Sequence, residues 1–420
     1  MTDVNVDSPR PMNRNFVYAT MSAGSAVLLV LLTGIVGSRL GQAAWGQFSW
    51  ALALATIGEA LMDLGIHQVT IRSVARDRSS AVPLFRNSIA LKALPGAVML
   101  AALSGAAYWS RPEPAVRHAC VLLLCSAVLR SYLLTVRGVL QGLERFADDS
   151  ALVIADRLLL LVVGSAAVLL GAGIVGVAGA FIVARAIAVA GALAIAHRHV
   201  GGPIPAFDTA LWRDLQRRAL PLGAFLIVLN LYSYIDTLIL GMLATDLETG
   251  LYNSAYRIYE GLTYAPAILS SVLTPRLSAL WGVSRAAHRR LVGTGLAAAA
   301  ALAVMVSALA WWLAPSLLQL VFTETALPAV SALRILGAGL IFVFMIWILH
   351  AVAISVFEER LLLYTTLVGS VANIGLNFYL IPKYGRDGAA LATVAGEALT
   401  MAVLFWGLRH ALWPAATERS

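Results

Sequence analysis

Ten ionisable side chains interrupt stretches of the chain that are otherwise apolar. Five of them are basic, namely Lys92, Arg130, Arg185, Arg257 and Arg334. Five are acidic, namely Glu59, Asp63, Asp236, Glu260 and Glu397. A charged side chain at the centre of a membrane-spanning helix costs about 2.5–3.5 kcal/mol, so such groups normally face a partner or a wet cavity. If these stretches span a membrane, the ten residues are the first candidates for a functional site.

The depth of the basic residues within their stretches separates them into two kinds. Arg130 and Arg185 lie about fourteen and about ten residues from the start, roughly 21 and 15 Å at 1.5 Å per residue, so both need a wet or paired environment. Glu397 lies nearly as deep as Arg185. It is either a cavity residue or the ion-pair partner of Arg185. Lys92 and Arg334 lie about five residues, roughly 8 Å, from an end. We expect Lys92 to reach the membrane surface, whereas Arg334 could face the surface or a cavity.

The stretches before and after residue 245 bring a second group of side chains together. A short hairpin places Asp236 and Arg257 at a similar depth, and Glu260 follows one helical turn after Arg257 on the same face. Amide and aromatic side chains accompany these charges, namely Asn230, Tyr232, Tyr234, Tyr252, Asn253, Tyr256 and Tyr259. Aromatic faces with amide partners suit sugars, which present both C–H faces and hydroxyl groups. The alternatives are a salt-bridged cluster that closes the hairpin and tyrosines that lie at the membrane surface.

The composition indicates that membrane-spanning helices hold these residues. Of the 420 residues, 60% are hydrophobic and 12% are charged, and the mean hydropathy is +0.82. A soluble protein carries about twice that charge, and a single hydrophobic core stops growing near roughly 250–300 residues. The remaining apolar surface must face lipid. The sequence therefore predicts an all-α, polytopic integral membrane protein.

About twelve apolar stretches are long enough to cross the membrane at about 20 residues per helix. They fall at residues 16–38, 46–66, 87–109, 116–138, 151–171, 175–196, 219–243, 252–275, 292–314, 330–356, 361–381 and 388–410. The connections are too short for an extramembrane catalytic domain, which argues against membrane glycosyltransferases and sugar-polymer ligases.

The basic residues report the topology. Of the 30 Lys and Arg residues, 20 fall in one alternate set of connections, Arg157 among them, and 5 fall in the other. The positive-inside rule therefore places both termini in the cytoplasm. The same rule accounts for the net charge of +8, so no nucleic-acid partner is expected.

Two weak internal repeats pair each helix with the sixth helix after it. A shift of 204 residues aligns Gly46 with Gly250, and a shift of 212 residues aligns residues 173–180 with residues 385–392. The alternative source of such matches is the use of small residues to pack helices in any membrane protein. We expect two six-helix lobes around a central cavity. The expected boundaries are a cytoplasmic tail (1–15), an N-lobe (16–196), a cytoplasmic linker (197–218), a C-lobe (219–412) and a second cytoplasmic tail (413–420).

The sequence contains no catalytic constellation. The seven histidines form no HExxH or similar metal-ligand pattern, and no GxxxxGK phosphate loop occurs. Cys120 and Cys125 are interpreted as packing residues. We therefore expect no catalytic residue, no metal site and no cofactor. Energy for any transport must come from an ion gradient, from the gradient of the substrate or from a partner.

Four segments carry a family resemblance, namely GQFSWALALATIGEALMDLGIHQVTIRSVAR, RGVLQGLERF, GLYNSAYRIYEGL and ANIGLNFYLIPKYGRDGAALATVAGE. They resemble the polysaccharide (O-antigen type) flippase family of the multidrug/oligosaccharidyl-lipid/polysaccharide exporter superfamily, abbreviated MOP. The similarity runs over essentially the whole chain in the same order and spacing. Its most specific part is LNFYLIPKYGRDGAA, residues 376–390.

The resemblance implies a transporter rather than an enzyme. Such a protein moves a polyprenyl-pyrophosphate-linked oligosaccharide across the bacterial inner membrane by alternating access, for synthesis of lipopolysaccharide O-antigen, capsule or exopolysaccharide. Its partners would be the lipid bilayer, the lipid-linked oligosaccharide and, in the pathway, a glycan polymerase and glycosyltransferases.

The resemblance also suggests roles for the deep residues, because related proteins have positively charged cavities that accept the pyrophosphate. Arginine suits this task, since its planar fork binds phosphate oxygens bidentately and keeps its charge. The residues assigned to the substrate cavity are Arg130, Arg257, Arg185, Arg334, Asn230, Asn253 and Tyr256. The residues assigned to ion coupling or gating are Asp236, Glu260, Glu397 and Glu59.

Three other functions stay open at the level of sequence. A cation-coupled multidrug exporter of the same superfamily would carry more deep carboxylates than deep cations, but the two are equal in number here. A non-transporting membrane scaffold of a glycan-assembly complex would have no use for charges in the bilayer. A membrane-embedded enzyme would need a catalytic acid or metal site, and no such grouping is visible.

Overall fold

The computed structural model describes Tyr18, Met21 and residues 24–412. Both predicted tails, 1–15 and 413–420, and the first residues of the first predicted span lie outside this part of the chain. All regular secondary structure in the described part is helical. This confirms the prediction of an all-α protein.

The first half of the chain forms a series of antiparallel helices. They are α1 (Ala26–Leu40), α2 (Gln42–Asp63), α3 (Ile66–Arg76), α4 (Ala81–Ser110), α5 (Pro114–Gly142), α6 (Phe146–Leu169) and α7 (Ile174–Val200), with a 3-10 turn at Arg78–Ser80. Helices α4 to α7 have 24 to 30 residues. At 1.5 Å per residue, each is long enough to cross about 30 Å of hydrocarbon.

The second half is also helical. It contains α8 (Thr209–Leu243), α9 (Asp246–Leu262), α10 (Tyr264–Trp281), α11 (Arg285–Phe322), α12 (Val330–Ser355), α13 (Glu359–Gly407) and α14 (Arg409–Leu412), with a 3-10 turn at Glu324–Ala329. Side-chain oxygens cap several helix starts: Asp208 accepts from the amide of Ala210, Thr245 from that of Glu248, and Ser284 from that of Ala287. Such caps satisfy amides that have no partner in the first helical turn. The helices capped by these three residues are α8, α9 and α11.

Helix α13 is a hairpin of two spans rather than one straight helix. Its 49 residues would extend about 74 Å, more than twice the membrane core. The chain reverses at Gly385, whose φ of 54° and ψ of −129° are not helical. Gly369 then packs against Thr400, and Gly396 packs against Asn373. The predicted spans 361–381 and 388–410 are the two arms of this hairpin.

The described helices accommodate the predicted count of about twelve spans. By length and composition, eight helices could cross a membrane within the described residues, or nine if the bent pair α2 and α3 forms one span. The remainder is accounted for by the two arms of α13, by α1, whose start lies outside the described part, and by α9 with α10, which divide one predicted span at Thr263. The protein is therefore a multi-pass membrane protein.

The connections lie at two ends of the bundle. We call the end with residues 76–81, 142–146, 200–209 and 281–285 the arginine-rich end. We call the end with residues 110–114, 243–246, 322–330 and 383–386 the far end. Contacts between connections support this assignment, because Arg111 pairs with Asp246 at 2.7 Å and Arg386 pairs with Glu248 at 2.5 Å at the far end.

The two halves meet most closely where α2 crosses α9, near the far end. A Cβ atom built on Gly46 would lie 2.7 Å from the amide nitrogen of Gly250, and one built on Gly250 would lie 3.1 Å from the amide nitrogen of Gly46. Only glycine permits this approach of the two backbones. These are the residues that the shift of 204 aligns, so the contact joins equivalent positions of the proposed repeat.

A buried ion pair strengthens the crossing at the far end. Arg111 is 6% exposed and its guanidinium lies 2.7 Å from Asp246 and 4.5 Å from the ring centre of Trp50. Gln47 donates a hydrogen bond of 2.9 Å to the other oxygen of Asp246. Asp246 belongs to the second half, whereas Arg111 and Gln47, which contact it, belong to the first. These contacts therefore hold the halves together.

Lys92 lies in the interior and not at the membrane surface, so that expectation is wrong. Its side chain is fully buried, and Nζ donates to Asp63 at 2.6 Å and to the carbonyl oxygen of Ser131 at 2.9 Å. The pair connects α2, α4 and α5. A carboxylate and a backbone carbonyl within reach offset the cost of removing the ammonium group from water. The position of Lys92 along its helix could not reveal these partners.

We predict that Gly46→Val separates α2 from α9, because the added side chain would meet the backbone of α9. Short bis-maleimide cross-linking of Gln42→Cys with Ser254→Cys reports this contact, since the two native side chains are hydrogen-bonded at 2.9 Å. The cross-linking yield should fall several-fold. Gly191→Val is the matched control, because a Cβ there meets nothing within 4 Å; equal yields in both variants would contradict the prediction.

We also predict that Lys92→Met destabilises the protein by about 3–5 kcal/mol, because it leaves the buried carboxylate of Asp63 without its cation. The double variant Lys92→Met/Asp63→Leu should recover much of this loss, since it removes both charges. Thermal unfolding in detergent measures the difference. A double variant no more stable than the single one would show that the pair has no such role.

Candidate functional site

A central cavity of about 300 Å³ lies at mid-depth between the two halves. Its walls come from α1, α2, α5, α6 and α7 of the first half and from α8, α9 and α10 of the second. The charged residues that line it are Glu59, Arg130, Arg157, Arg185, Arg257 and Glu260. Most of the remaining wall is apolar, including Leu123, Leu160 and Phe181.

Three ion pairs organise the charged wall. Arg130 Nε lies 2.8 Å from Glu59 Oε1, and Arg257 donates to Glu260 at 2.7 Å within one turn of α9. Arg185 Nε lies 2.9 Å from Asp156 Oδ1, between α7 and α6. The pairs differ in exposure: the side chains of Arg130 and Glu260 are 38% and 35% exposed, whereas Arg185 and its partner are nearly closed off at 8% and 9%.

Arginine is the most frequent charged residue in the described wall of the cavity. Arg130, Arg157, Arg185 and Arg257 line it, together with the carboxylates of Glu59 and Glu260. Arg157 donates to Ser25 Oγ at 2.7 Å. Because these arginines place N–H donors at the wall, the cavity is suited to bind an anion with several oxygens, such as a phosphate.

Two tyrosines from the second half also line the cavity. Tyr234 lies beside Arg257, and Tyr264 is 51% exposed at the start of α10. Each ring offers an apolar face and a hydroxyl group. This combination suits a ligand with both C–H and hydroxyl groups next to its charge.

A smaller chamber of about 120 Å³ continues the central cavity towards the arginine-rich end. The two share Thr56 and Glu59 in their walls. Asp63, His67 and Asn230 line the lower part of the chamber. Asn230 is thus near the cavity and not in its wall, and its amide donates to the carbonyl oxygen of Leu226 at 2.8 Å.

Asp236 lies in a separate, buried network in the second half. The residue is 3% exposed. Its carboxylate accepts hydrogen bonds from Tyr252 at 2.9 Å, Thr393 at 2.6 Å and Asn377 at 2.6 Å. Asn373 lies one helical turn before Asn377, whose side-chain amide donates to Asn373 Oδ1 at 3.1 Å. Within residues 24–412, no basic side chain pairs with Asp236.

Glu397 belongs to the same region. Tyr259 donates to its Oε1, whereas its Oε2 has no hydrogen-bond partner in the described part of the chain. The residue is 6% exposed. Two carboxylates without a nearby cation therefore lie inside the second half. Their oxygen-rich surroundings are able to hold a proton or a small hard cation, although no group of three or more His, Cys, Asp or Glu side chains is close enough to form a metal site in residues 24–412.

The structure separates residues that the hairpin argument placed together. Asp236 and Arg257 do not contact each other, because one faces α13 and the other faces the central cavity. Arg185 and Glu397, aligned by the shift of 212, also have different partners: Asp156 for the former and Tyr259 for the latter. Equal depth did not determine which face of the helix each side chain occupies.

Three further assigned residues lie outside the cavity wall. Arg334 donates to the carbonyl oxygen of Trp311 at 3.2 Å and lies over the ring of that residue, so the structure does not bring it to the cavity. Asn253 is buried and bonds to Thr237 and to the backbone of α9. Tyr256 stacks between Tyr252 and Tyr259, with ring centres 5.7 Å from each.

Sequence reasoning missed Asp156 and Arg157. Arg157 was counted as a connection residue, but it lies eleven residues after Phe146, where α6 begins, and it lines the cavity. The signal was the adjacency of an acid and a base inside one apolar stretch. Neighbouring residues on a helix point about 100° apart, so one can reach the cavity while the other pairs with Arg185.

Residues 12–281 match the sequence model of a family described as polysaccharide biosynthesis protein, and residues 221–379 match the MatE model. No curated protein matches the chain.

Several solved structures share the fold. The inward-facing conformation of a multidrug resistance MATE family transporter of the MOP superfamily has a TM-score of 0.73 and 20% identity, over 94% of this chain and 98% of that one. The lipid II flippase MurJ, in an inward closed conformation, has a TM-score of 0.70 and 14% identity, over 94% and 87%. A MOP superfamily transporter from Pyrococcus furiosus has a TM-score of 0.61 and 20% identity, over 94% of each chain. These similarities establish the fold.

Proposed function

The chain belongs to the polysaccharide biosynthesis protein family, and from this premise we propose that it moves a polyprenyl-pyrophosphate-linked oligosaccharide across a bacterial inner membrane. The observation that carries the proposal is the arginine-lined cavity between the halves. The fold of the chain, which is that of MOP superfamily transporters, supports the same proposal. The glycan product would be O-antigen, capsule or exopolysaccharide, and the pathway partners would be a glycan polymerase and glycosyltransferases.

The charged wall supports a pyrophosphate ligand in particular. Arg130 and Arg257 come from opposite halves, line the same cavity, and are each held by a carboxylate. The side chain of Arg130 is 38% exposed and that of Arg257 is 13% exposed. A pyrophosphate would add charge-assisted hydrogen bonds to both guanidinium groups. The first sugar would lie against Tyr234 and Tyr264, and the polyprenyl chain would stay in the lipid.

The orientation follows from the positive-inside rule, with the arginine-rich end in the cytoplasm. In this arrangement, the crossing of Gly46 and Gly250 and the pair of Arg111 with Asp246 close the outer side. The TM-score of 0.73 for the inward-facing MATE transporter, against 0.61 for an outward-facing one, agrees with this state. Transport would require these far-end contacts to open while contacts at the other end close.

We predict that Arg130→Ala and Arg257→Ala each reduce export of the surface glycan by at least tenfold. Each change removes a cation that contacts the pyrophosphate and leaves a carboxylate in the cavity that repels it. Glycan display is measured in cells that depend on this chain, with its membrane content monitored by immunoblotting. Arg334→Ala is the matched control, since Arg334 contacts Trp311 and not the cavity. Normal display in both cavity variants would contradict the assignment.

Asp236 is the proposed coupling residue, together with Glu397. A carboxylate in a buried site must bind a proton or cation when its charge is not compensated. Asp236 lies on α8 and contacts α9 and α13 through its three donors, so a change in its occupancy would alter the packing of the second half. This would connect an ion gradient to the opening of the cavity.

We predict that Asp236→Asn abolishes the stimulation of transport by an ion gradient, because the amide has similar size but no charge to be neutralised. Transport of lipid-linked oligosaccharide into proteoliposomes is measured with a sodium gradient or with a pH gradient, which identifies the coupling ion. Asp387→Asn is the control, since Asp387 accepts a hydrogen bond from Ser331 outside this network. Full stimulation in the Asp236 variant would exclude the role.

A cation-coupled multidrug exporter is the second candidate function. The MatE match over residues 221–379 covers Asp236 and Asn377, and buried carboxylates without cations suit cation-coupled exchange. This function predicts drug resistance in cells that express the chain and no dependence of glycan display on Arg130 or Arg257. The two assays therefore distinguish the candidates.

A further inference from the structure

A groove of about 320 Å³ lies at the seam between the halves, near the arginine-rich end. Its floor is apolar and is formed by Leu64 after α2, by Leu91 and Pro95 of α4 and by Leu220 of α8. It is separate from the central cavity, with which it shares no lining residue.

Two arginines stand at the mouth of this groove. Arg213 and Arg217 are exposed and one helical turn apart on α8, so both guanidinium groups lie on the same face. In residues 24–412, neither forms an ion pair, whereas their neighbour Arg218 is paired with Asp214 at 2.9 Å. Two cations without carboxylate partners at a helix seam are suited to a phosphate group.

The apolar surface extends from the groove towards the centre of the membrane. Leu94 and Val98 of α4 are 72% and 59% exposed, and Leu220 is 59% exposed. Cations at one end and a continuous apolar surface at the other match a ligand with a phosphate head and a hydrocarbon chain. A free phosphate would use only the first part of this surface.

The groove adjoins the route into the central cavity. Gly65, with a φ of 81°, packs against Gly223, where a Cβ on Gly65 would lie 2.7 Å from the amide nitrogen of Gly223. Gly65 lines the small chamber that contains Asp63, His67 and Asn230, and its chain neighbours Leu64 and Ile66 line the groove. The chamber in turn joins the central cavity at Glu59. A phosphate bound by Arg213 and Arg217 would therefore lie outside a glycine contact between the two halves.

We propose that this groove is the docking site for the phosphate-bearing end of the polyprenyl lipid before its head group enters the central cavity. The inference rests on the proposed function, because the occupant is the lipid part of that substrate. Arg213 and Arg217 bind the pyrophosphate at the level of the lipid head groups, and the first isoprene units lie on Leu91, Pro95 and Leu220. Separation of Gly65 from Gly223 then opens the way to the chamber.

The test is the binding of a fluorescent polyprenyl pyrophosphate to the full chain in phosphatidylcholine nanodiscs. Arg213→Gln/Arg217→Gln should weaken binding about 30-fold, as expected for two surface arginines near a lipid phosphate. Leu220→Trp should also weaken it, because the indole fills the groove from an exposed position. Arg198→Gln/Arg290→Gln removes two other exposed arginines of the same end and should change affinity less than twofold.

Competition identifies the occupant. Unlabelled polyprenyl pyrophosphate should displace the probe, whereas inorganic pyrophosphate and phosphatidylglycerol should displace it at least tenfold less well. Equal displacement by inorganic pyrophosphate would show that the polyprenyl tail contributes nothing to binding. Equal displacement by phosphatidylglycerol would show a general site for anionic lipids. Either result overturns the proposal.

The variants also separate this inference from the proposed function. Binding that is lost in Arg257→Ala but unchanged in Arg213→Gln/Arg217→Gln would overturn the docking groove and leave the transport function intact. Absence of probe binding to the unaltered chain, with normal glycan display in the Arg130 and Arg257 variants, would overturn the function itself.

Discussion

A charge surrounded by hydrocarbon must have a partner or water, and this constraint organises the interior of the protein. Lys92 meets it with Asp63 in a buried contact that joins three helices. Arg130 meets it with Glu59 and stays 38% exposed, whereas Arg257 meets it with Glu260, whose carboxylate is the more exposed member at 35%. The same type of ion pair therefore stabilises helix packing in one place and leaves a charged group at the cavity wall in another. Exposure of the pair distinguishes the two roles.

Much of the fold could be predicted from the sequence because a membrane leaves few choices. Apolar stretches of sufficient length must form helices, since their backbone groups have no other partner in lipid. The twelve stretches accordingly match the described helices, including the arms of α13 on either side of Gly385. Alternation of basic and weakly charged connections likewise matched the two ends of the bundle. These predictions depend on sums over many residues, which tolerate errors at single positions.

The site was predicted only in part, because it depends on which face of a helix a residue occupies. Arg130, Arg185 and Arg257 reach one cavity, but Arg334 contacts Trp311 instead. Arg157 reaches the cavity although its position near an arginine-rich connection suggested a topological role. Rotation of a helix about its axis is set by packing against its neighbours, and the weak amphipathic pattern of helices buried on most sides gives little information about it.

The contact between Gly46 and Gly250 has the form expected at the two-fold axis of a homodimer, where a residue meets its own copy. In a true homodimer, every substitution would occur on both sides of the axis, so a cavity rich in arginine would have arginine from each subunit in equal measure. A single chain has no such restriction. Here the first half supplies three of the four cavity arginines, and the second half holds Asp236 and Glu397 in its interior. Under the proposed function, joining the halves in one polypeptide would allow one half to bind the anion and the other to respond to a cation, with the two aligned by the glycine crossing.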